Sequence, residues 1–104
     1  MSLRFCSLSS GSSGNCIYVE SDRSKILIDA GFSGKQVEKL LDSIDVDPSE
    51  LDAILVTHEH SDHIKGVGVL SRRYRIPVIA NEGTWCAMTN KIGKIDEDNI
   101  LIFK

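Results

Sequence analysis

Cysteine is scarce in this 104-residue chain: Cys6, Cys16 and Cys86 are all it has, an odd number with no C-x-x-C pair. That argues against a disulfide framework, and all three are expected to be small core residues in a reducing cytosol. No apolar run approaches the length of a transmembrane helix. The N-terminus lacks the basic-then-apolar layout of a secretory signal, so a cytoplasmic location is expected. Excess charge is missing too. Twelve Lys and Arg against fifteen Asp and Glu leave a net charge of −3, with no overall pull toward nucleic acid or membrane. There is no internal repeat. What remains, 41% hydrophobic and 26% charged residues, is the composition of a soluble globular protein, one domain at most and long enough for a real core.

Histidine is as rare as cysteine, and its placement is the most informative feature of the chain. All three histidines fall within Thr57-His58-Glu59-His60-Ser61-Asp62-His63, in the pattern H-x-H-x-D-H. Random placement of three histidines would give these offsets in roughly 99 of 182,000 cases, before the aspartate is counted. Neutral imidazole and carboxylate are ligands for zinc and similar divalent ions. Ala53 to Val56 is a short apolar run that reads as a buried strand. If extended geometry persists a little beyond Val56, His58 and His60 point the same way and face one ion together. Asp62 and His63 fall near the first turn of a following helix, where a carboxylate is favoured, and reach a second ion. Two ions about 3.5–4 Å apart form a clamp that activates water and stabilises an in-line displacement. The rival readings are a mononuclear or structural site, or surface histidines with no metal.

The rest of the chain supplies a scaffold. Leu3 to Leu8 reads as a first strand. Ser9 to Asn15 is a Ser/Gly loop, and its residues Ser12, Ser13, Gly14 and Asn15 are either plain turn chemistry or a ligand-contacting loop whose N–H groups take an anion. Cys16 to Glu20 and Lys25 to Asp29 form a hairpin through Ser21 to Ser24. Asp29 ends an apolar strand, where a carboxylate either orients a metal-bound histidine or simply caps a turn. Ser33 to Ile44 is the clearest helix. Ser33 and Gln36 form a capping box, Phe32 and Val37 a staple, and Val37, Leu40, Leu41 and Ile44 an apolar stripe. Lys35, Glu38, Lys39 and Asp42 are its expected solvated face. Asp47 and Pro48 start a short helical turn.

A helix is expected from Asp62 to Tyr74, weakened by Gly66 and Gly68, which permit close packing beneath the histidine loop. Arg72, Arg73 and Arg75 form a basic cluster that reads either as a solvated helix end or as a phosphate contact. Pro77 to Ala80 is a second buried strand, parallel to the first through the crossover helix. Thr84 to Lys91 is a weak helix whose Trp85 and Met88 belong to the core, and Ile100 to Phe103 is a last strand.

These residues resemble the metallo-β-lactamase-fold hydrolases. The resemblance is carried by Thr57 to His63, by Asp29 at a strand end and by the strands leading in. Ser10-Gly11-Ser12-Ser13-Gly14-Asn15-Cys16, Leu27-Ile28-Asp29-Ala30-Gly31 and His63-Ile64-Lys65-Gly66-Val67 resemble, more narrowly, the WalJ/YycJ group of bacterial proteins. The resemblance runs from about Leu3 to Met88. It implies an α/β fold, the N-terminal half of a metallo-β-lactamase αβ/βα sandwich, with a mixed sheet and helices on one face. It implies two divalent metal ions, Zn²⁺ or Mn²⁺, with His58 and His60 on the first and Asp62 and His63 on the second. Asp29 supports the site, and Asp62 doubles as the catalytic group that orients the attacking water. The implied activity is metal-dependent phosphodiester hydrolysis, a 5′-to-3′ exonuclease acting on DNA. Rival activities are hydrolysis of a thioester or lactam, or a non-catalytic metal-binding half-domain.

One departure from the family is clear: no histidine follows His63, whereas the family draws further ligands from a second half. Residues 1–104 are therefore expected to be a single partial domain, truncated before that half. The chain alone should be weakly active or inactive, with an uncovered apolar face that promotes self-association.

Overall fold

The computed structural model describes residues 2–8 and 14–103. Three strands come first: β1 (Leu3–Ser7), β2 (Ile17–Ser21) and β3 (Lys25–Ile28). They form an antiparallel meander, and the β2–β3 turn is closed by the Ser21 N–H donating to the Ser24 carbonyl at 2.8 Å. Helix α1 (Gly34–Asp42) follows, then a 3₁₀ turn (Pro48–Glu50) and β4 (Ala53–Leu55). Two helices, α2 (Ser61–Ile64) and α3 (Val67–Tyr74), lead to β5 (Val78–Asn81). Helix α4 (Glu82–Ile92), a second 3₁₀ turn (Glu97–Asn99) and β6 (Ile100–Phe103) complete the chain. Strands β3 to β6 are mutually parallel, and the sheet order is β1-β2-β3-β4-β5-β6. This is the mixed α/β sheet that the sequence implies.

Local signals account for the elements. The Ser33 hydroxyl accepts the Gln36 N–H at 3.2 Å, and Gln36 Oε1 accepts the Ser33 N–H at 3.4 Å, so the expected capping box starts α1. Asp47 and Glu50 build a second one around Pro48. Asn81 Oδ1 accepts the Thr84 N–H at 2.8 Å and starts α4 two residues before the expected Thr84.

Register shows where the core lies. Cys6, Tyr18, Leu27, Ile54, Val78 and Ile100 are paired across the sheet in one row. Tyr18, Leu27, Ile54 and Val78 of that row are buried with Val37 and Leu41 of α1, Val67 and Leu70 of α3, and Trp85, Met88 and Ile92 of α4 in a single hydrophobic cluster, against which Cys6 and Ile100 pack half-buried. The row on the opposite face runs Ile17, Ile28, Leu55, Ile79 and Leu101, flanked by Phe5 and Phe103. There Phe5 is 63% exposed, Phe103 48% and Leu101 44%. An apolar surface crossing all six strands is therefore left open to solvent.

Five expectations need correction. The helix expected over 62–74 is two helices. Gly66 breaks it because its N–H donates to the Ala30 carbonyl at 2.8 Å, and a Cβ there would stand 2.5 Å from the Phe32 carbonyl oxygen. Gly68 packs not beneath the histidine loop but on the Ile92 carbonyl at the end of α4. Glu38 is not simply solvated: it accepts hydrogen bonds from the Tyr74 hydroxyl and the Arg73 guanidinium, tying α1 to α3. Arg72 likewise donates to the carbonyls of Ile92 and Lys94, at 2.7 and 3.1 Å. The basic cluster is thus partly consumed in holding helices together. Finally, all three cysteines are free thiols, but only Cys16 is fully buried; Cys6 is partly covered and Cys86 is exposed on α4.

Candidate metal centre

The site forms where β3 and β4 end side by side. After Ile28 the chain turns sharply at Asp29, whose φ is +62°. Asparagine and aspartate tolerate this left-handed region better than most residues. The turn is held by Asp29 N–H donating to the Leu55 carbonyl at 2.7 Å and Ala30 N–H donating to the His63 carbonyl at 2.9 Å. These bonds place a carboxylate that is 4% exposed directly under the histidine loop.

Three donors converge on that carboxylate. Oδ1 accepts the Thr57 N–H at 2.8 Å, and Oδ2 accepts the Thr57 hydroxyl at 2.6 Å and His63 Nδ1–H at 2.8 Å. A carboxylate only accepts, so Nδ1 carries the proton that points at Asp29, and in the neutral ring Nε2 presents its lone pair. The same logic extends one residue further. The Thr57 hydroxyl spends its proton on Asp29, so its oxygen accepts from His58 Nδ1 at 3.0 Å. His58 Nε2 is then also an acceptor. One buried aspartate fixes the tautomer of two imidazoles, directly and through threonine.

Strand β4 stops at Leu55, earlier than the reading that aligned His58 with His60 by extended geometry. The loop nevertheless gathers the rings. Centroids are 4.9 Å apart for His58 and His63, 6.0 Å for His58 and His60, and 6.4 Å for His60 and His63. His60 is the N-cap of α2, and Asp62 and His63 follow within that helix, with Asp62 Oδ2 3.9 Å from His63 Nε2. His58, His60 and Asp62 are exposed and His63 is half-buried. The Glu59 carbonyl accepts from Lys91 Nζ at 3.3 Å.

Of the loop read as ligand-contacting, Ser12 and Ser13 lie outside the described residues. Gly14 is buried, and Asn15 is exposed, with its carboxamide against Asp62 and His63. Sequence reading missed the bridging role of Thr57, although its place directly before the first histidine was the available signal. It also missed Gly31, where a Cβ would fall 1.8 Å from the Asp62 carbonyl oxygen.

Beneath the site, burial first and the nearby Asp29 charge second push the Cys16 thiol up to about 12, so it remains protonated and inert.

Three imidazoles and a carboxylate, two of the rings with Nε2 turned to acceptor, are the donor chemistry that a divalent ion requires. As the side chains stand, no group of three or more His, Cys, Asp or Glu among the described residues is arranged to hold an ion.

The chain belongs to the Metallo-beta-lactamase superfamily, whose model matches residues 10–102. Members of this superfamily use divalent metals. The chain is 53% identical over 103 residues to Exodeoxyribonuclease YycJ of Bacillus anthracis, covering 99% of this chain and 39% of the relative. It is 52% identical to Exodeoxyribonuclease WalJ of Streptococcus pneumoniae serotype 2, covering 97% and 38%. It thus spans about two fifths of the length of the curated relatives it matches. A class B3 metallo-β-lactamase with an active-site glutamic acid superposes with a TM-score of 0.75 at 18% identity, over 90% of this chain and 41% of that one. At that identity the likeness is one of fold. No helix among the described residues is long and apolar enough to cross a membrane.

Proposed function

We propose that this chain is the first half of a cytoplasmic, metal-dependent nuclease that hydrolyses DNA phosphodiesters from a 5′ end, with His58, His60, Asp62 and His63 as ligands to Zn²⁺ or Mn²⁺. The observation that carries the reading is the Asp29 network. A buried carboxylate that sets His63 directly and His58 through Thr57 makes sense where ring orientation and lone-pair direction matter, as around a metal. The exodeoxyribonuclease names of the two relatives given above support DNA as the substrate class.

Bound divalent ions would supply Lewis acidity, making water a nucleophile near neutral pH and neutralising charge on phosphate oxygens. The chain's own residues do the rest. Asp29 accepts hydrogen bonds from His63 Nδ1 and from the Thr57 hydroxyl, whose oxygen meets His58 Nδ1, so neither ring can turn its other nitrogen outward without losing a hydrogen bond. Asp62, exposed at the mouth of the site, orients water. Four side chains are half of a two-metal ligand set, so residues 1–104 alone are weakly active or inactive, and they pair with a second copy through the open sheet face bearing Phe5, Leu101 and Phe103.

The test is hydrolysis of 5′-labelled duplex DNA with Mn²⁺ or Zn²⁺, beside a thioester substrate. It compares the chain alone with the chain joined to the C-terminal remainder of the Bacillus anthracis relative. Nuclease activity in the joined protein, lost on His58→Ala, is expected. Thioester cleavage without DNA cleavage would overturn the substrate class. Robust metal-dependent hydrolysis by the 104-residue chain, abolished by His58→Ala, would overturn its assignment as an inactive half. A clean monomer at high concentration by light scattering would overturn the self-pairing.

A further inference from the structure

The side chain of Asn15 sits on the atoms that the proposed centre needs. Its carboxamide nitrogen lies 3.2 Å from Asp62 Oδ2, 3.3 Å from the Asp62 carbonyl oxygen and 3.4 Å from His63 Nε2. Because Asp29 holds the Nδ1 proton of His63, Nε2 is an acceptor. The amide nitrogen, with two N–H groups to give, therefore faces three acceptors. A divalent ion would be bound by the same lone pairs on Oδ2 and Nε2. Those two atoms are 3.9 Å apart, inside the ~4.2 Å that two ligands can span across one ion at about 2.1 Å each.

The backbone keeps the amide at this post. Asn15 N–H donates to the Asp62 carbonyl at 2.8 Å, and the Asn15 carbonyl accepts from Gly31 N–H at 2.9 Å. With the main chain fixed on both sides, only rotation of the side chain can move the amide away.

We propose that Asn15 is a placeholder for the cation. Before loading, its N–H groups hold Asp62 and His63 close together. On loading, the carboxamide swings out as a divalent ion takes those two lone pairs. This rests on the reading of Asp62 and His63 as metal ligands. A neutral donor suits the post. It satisfies a carboxylate and an imidazole without adding charge, and its hydrogen bonds are weak enough to be displaced.

The test titrates the 104-residue chain with Zn²⁺ against a chromophoric chelator, for wild type, Asn15→Ala and Asp62→Ala. Asn15→Ala removes a competitor, so it is expected to bind Zn²⁺ two- to tenfold more tightly, the range set by one displaced hydrogen bond of ordinary strength. Its metal-free form is expected to melt at a lower temperature. A second readout needs no variant. In wild type, the Asn15 side-chain N–H resonances should shift on adding one equivalent of Zn²⁺, while those of exposed Asn90 stay in place. Unchanged or weaker binding by Asn15→Ala, or unmoved Asn15 resonances, overturns the placeholder role. If wild type binds Zn²⁺, Asp62→Ala does not, and Asn15→Ala matches wild type, the metal reading stands and the placeholder role alone falls. If none of the three binds, both fall.

Discussion

Thr57 gives two hydrogen bonds to the single carboxylate of Asp29, its N–H to Oδ1 at 2.8 Å and its hydroxyl to Oδ2 at 2.6 Å. This bidentate grip fixes the chain one residue before His58 and leaves the threonine oxygen free to accept from that ring. Thr57→Val keeps the volume and the backbone bond and removes the hydroxyl. It is expected to lower stability by about 1–2 kcal/mol in urea unfolding and to weaken Zn²⁺ binding by roughly tenfold, as loss of a ligand-orienting partner does. Thr57→Ser should restore both. A valine variant with unchanged affinity would remove Thr57 from the site.

Gly31→Ala should be among the most damaging single-methyl additions in the chain. The new Cβ would lie 1.8 Å from the Asp62 carbonyl oxygen and 2.7 Å from the Asn15 nitrogen, both backbone atoms that cannot rotate away. A loss of roughly 3 kcal/mol or more is expected. Gly83→Ala is the control. Its Cβ meets nothing closer than Asn81 Oδ1 at 3.6 Å, and alanine favours the helix by up to about 1 kcal/mol. Denaturant midpoints of the two variants should move in opposite directions.

The tie between α1 and α3 should show in acid. The Tyr74 hydroxyl first, and the Arg73 guanidinium with it, hold the Glu38 carboxyl below its ordinary value of 4.5, against the opposing effect of desolvation. A depressed carboxylate stabilises the fold above its unfolded pKa, and that contribution is lost as pH falls through the folded one. Wild type should therefore melt higher than Glu38→Gln at pH 7, and the two should converge well below pH 4.5. A gap in melting temperature that is constant with pH would show that the tie does not depend on charge.

Thiol titration should separate the three cysteines. Exposed Cys86 should react with Ellman's reagent at once and partly covered Cys6 more slowly. Cys16, fully buried and with its thiol pushed up to about 12, should react only on unfolding. Rapid reaction of two or more thiols in the native chain would contradict this burial.

What could be read from sequence was local or chemical. Helix α1 was legible because its capping box and its stripe of Val37 and Leu41 lie within one short segment. The histidine cluster was legible because its residue types and offsets are rare together, and Asp29 because it closes an apolar strand. What escaped depends on distant partners. The break between α2 and α3 is set by the carbonyls of Ala30 and Phe32, which no pattern around Gly66 announces. The engagement of Glu38 needs Arg73 and Tyr74, 35 and 36 positions away. Cys86 looks like a core residue by type and is exposed because Trp85 and Met88 take the buried side of α4. Asn15 sits in a loop that reads either as a plain turn or as a ligand contact, and its partners Asp62 and His63 appear only when the loop is folded against them.

The sheet order β1-β2-β3-β4-β5-β6 repeats the order of synthesis. A ribosome making this segment releases each strand when its mate is already outside, so pairing never waits for a later piece of chain. Only the β1–β2–β3 meander closes locally; the parallel pairings of β3 to β6 each wait for a crossover through a helix. The nascent polypeptide can thus add strands in turn to the scaffold under Asp29 and the histidines as it emerges.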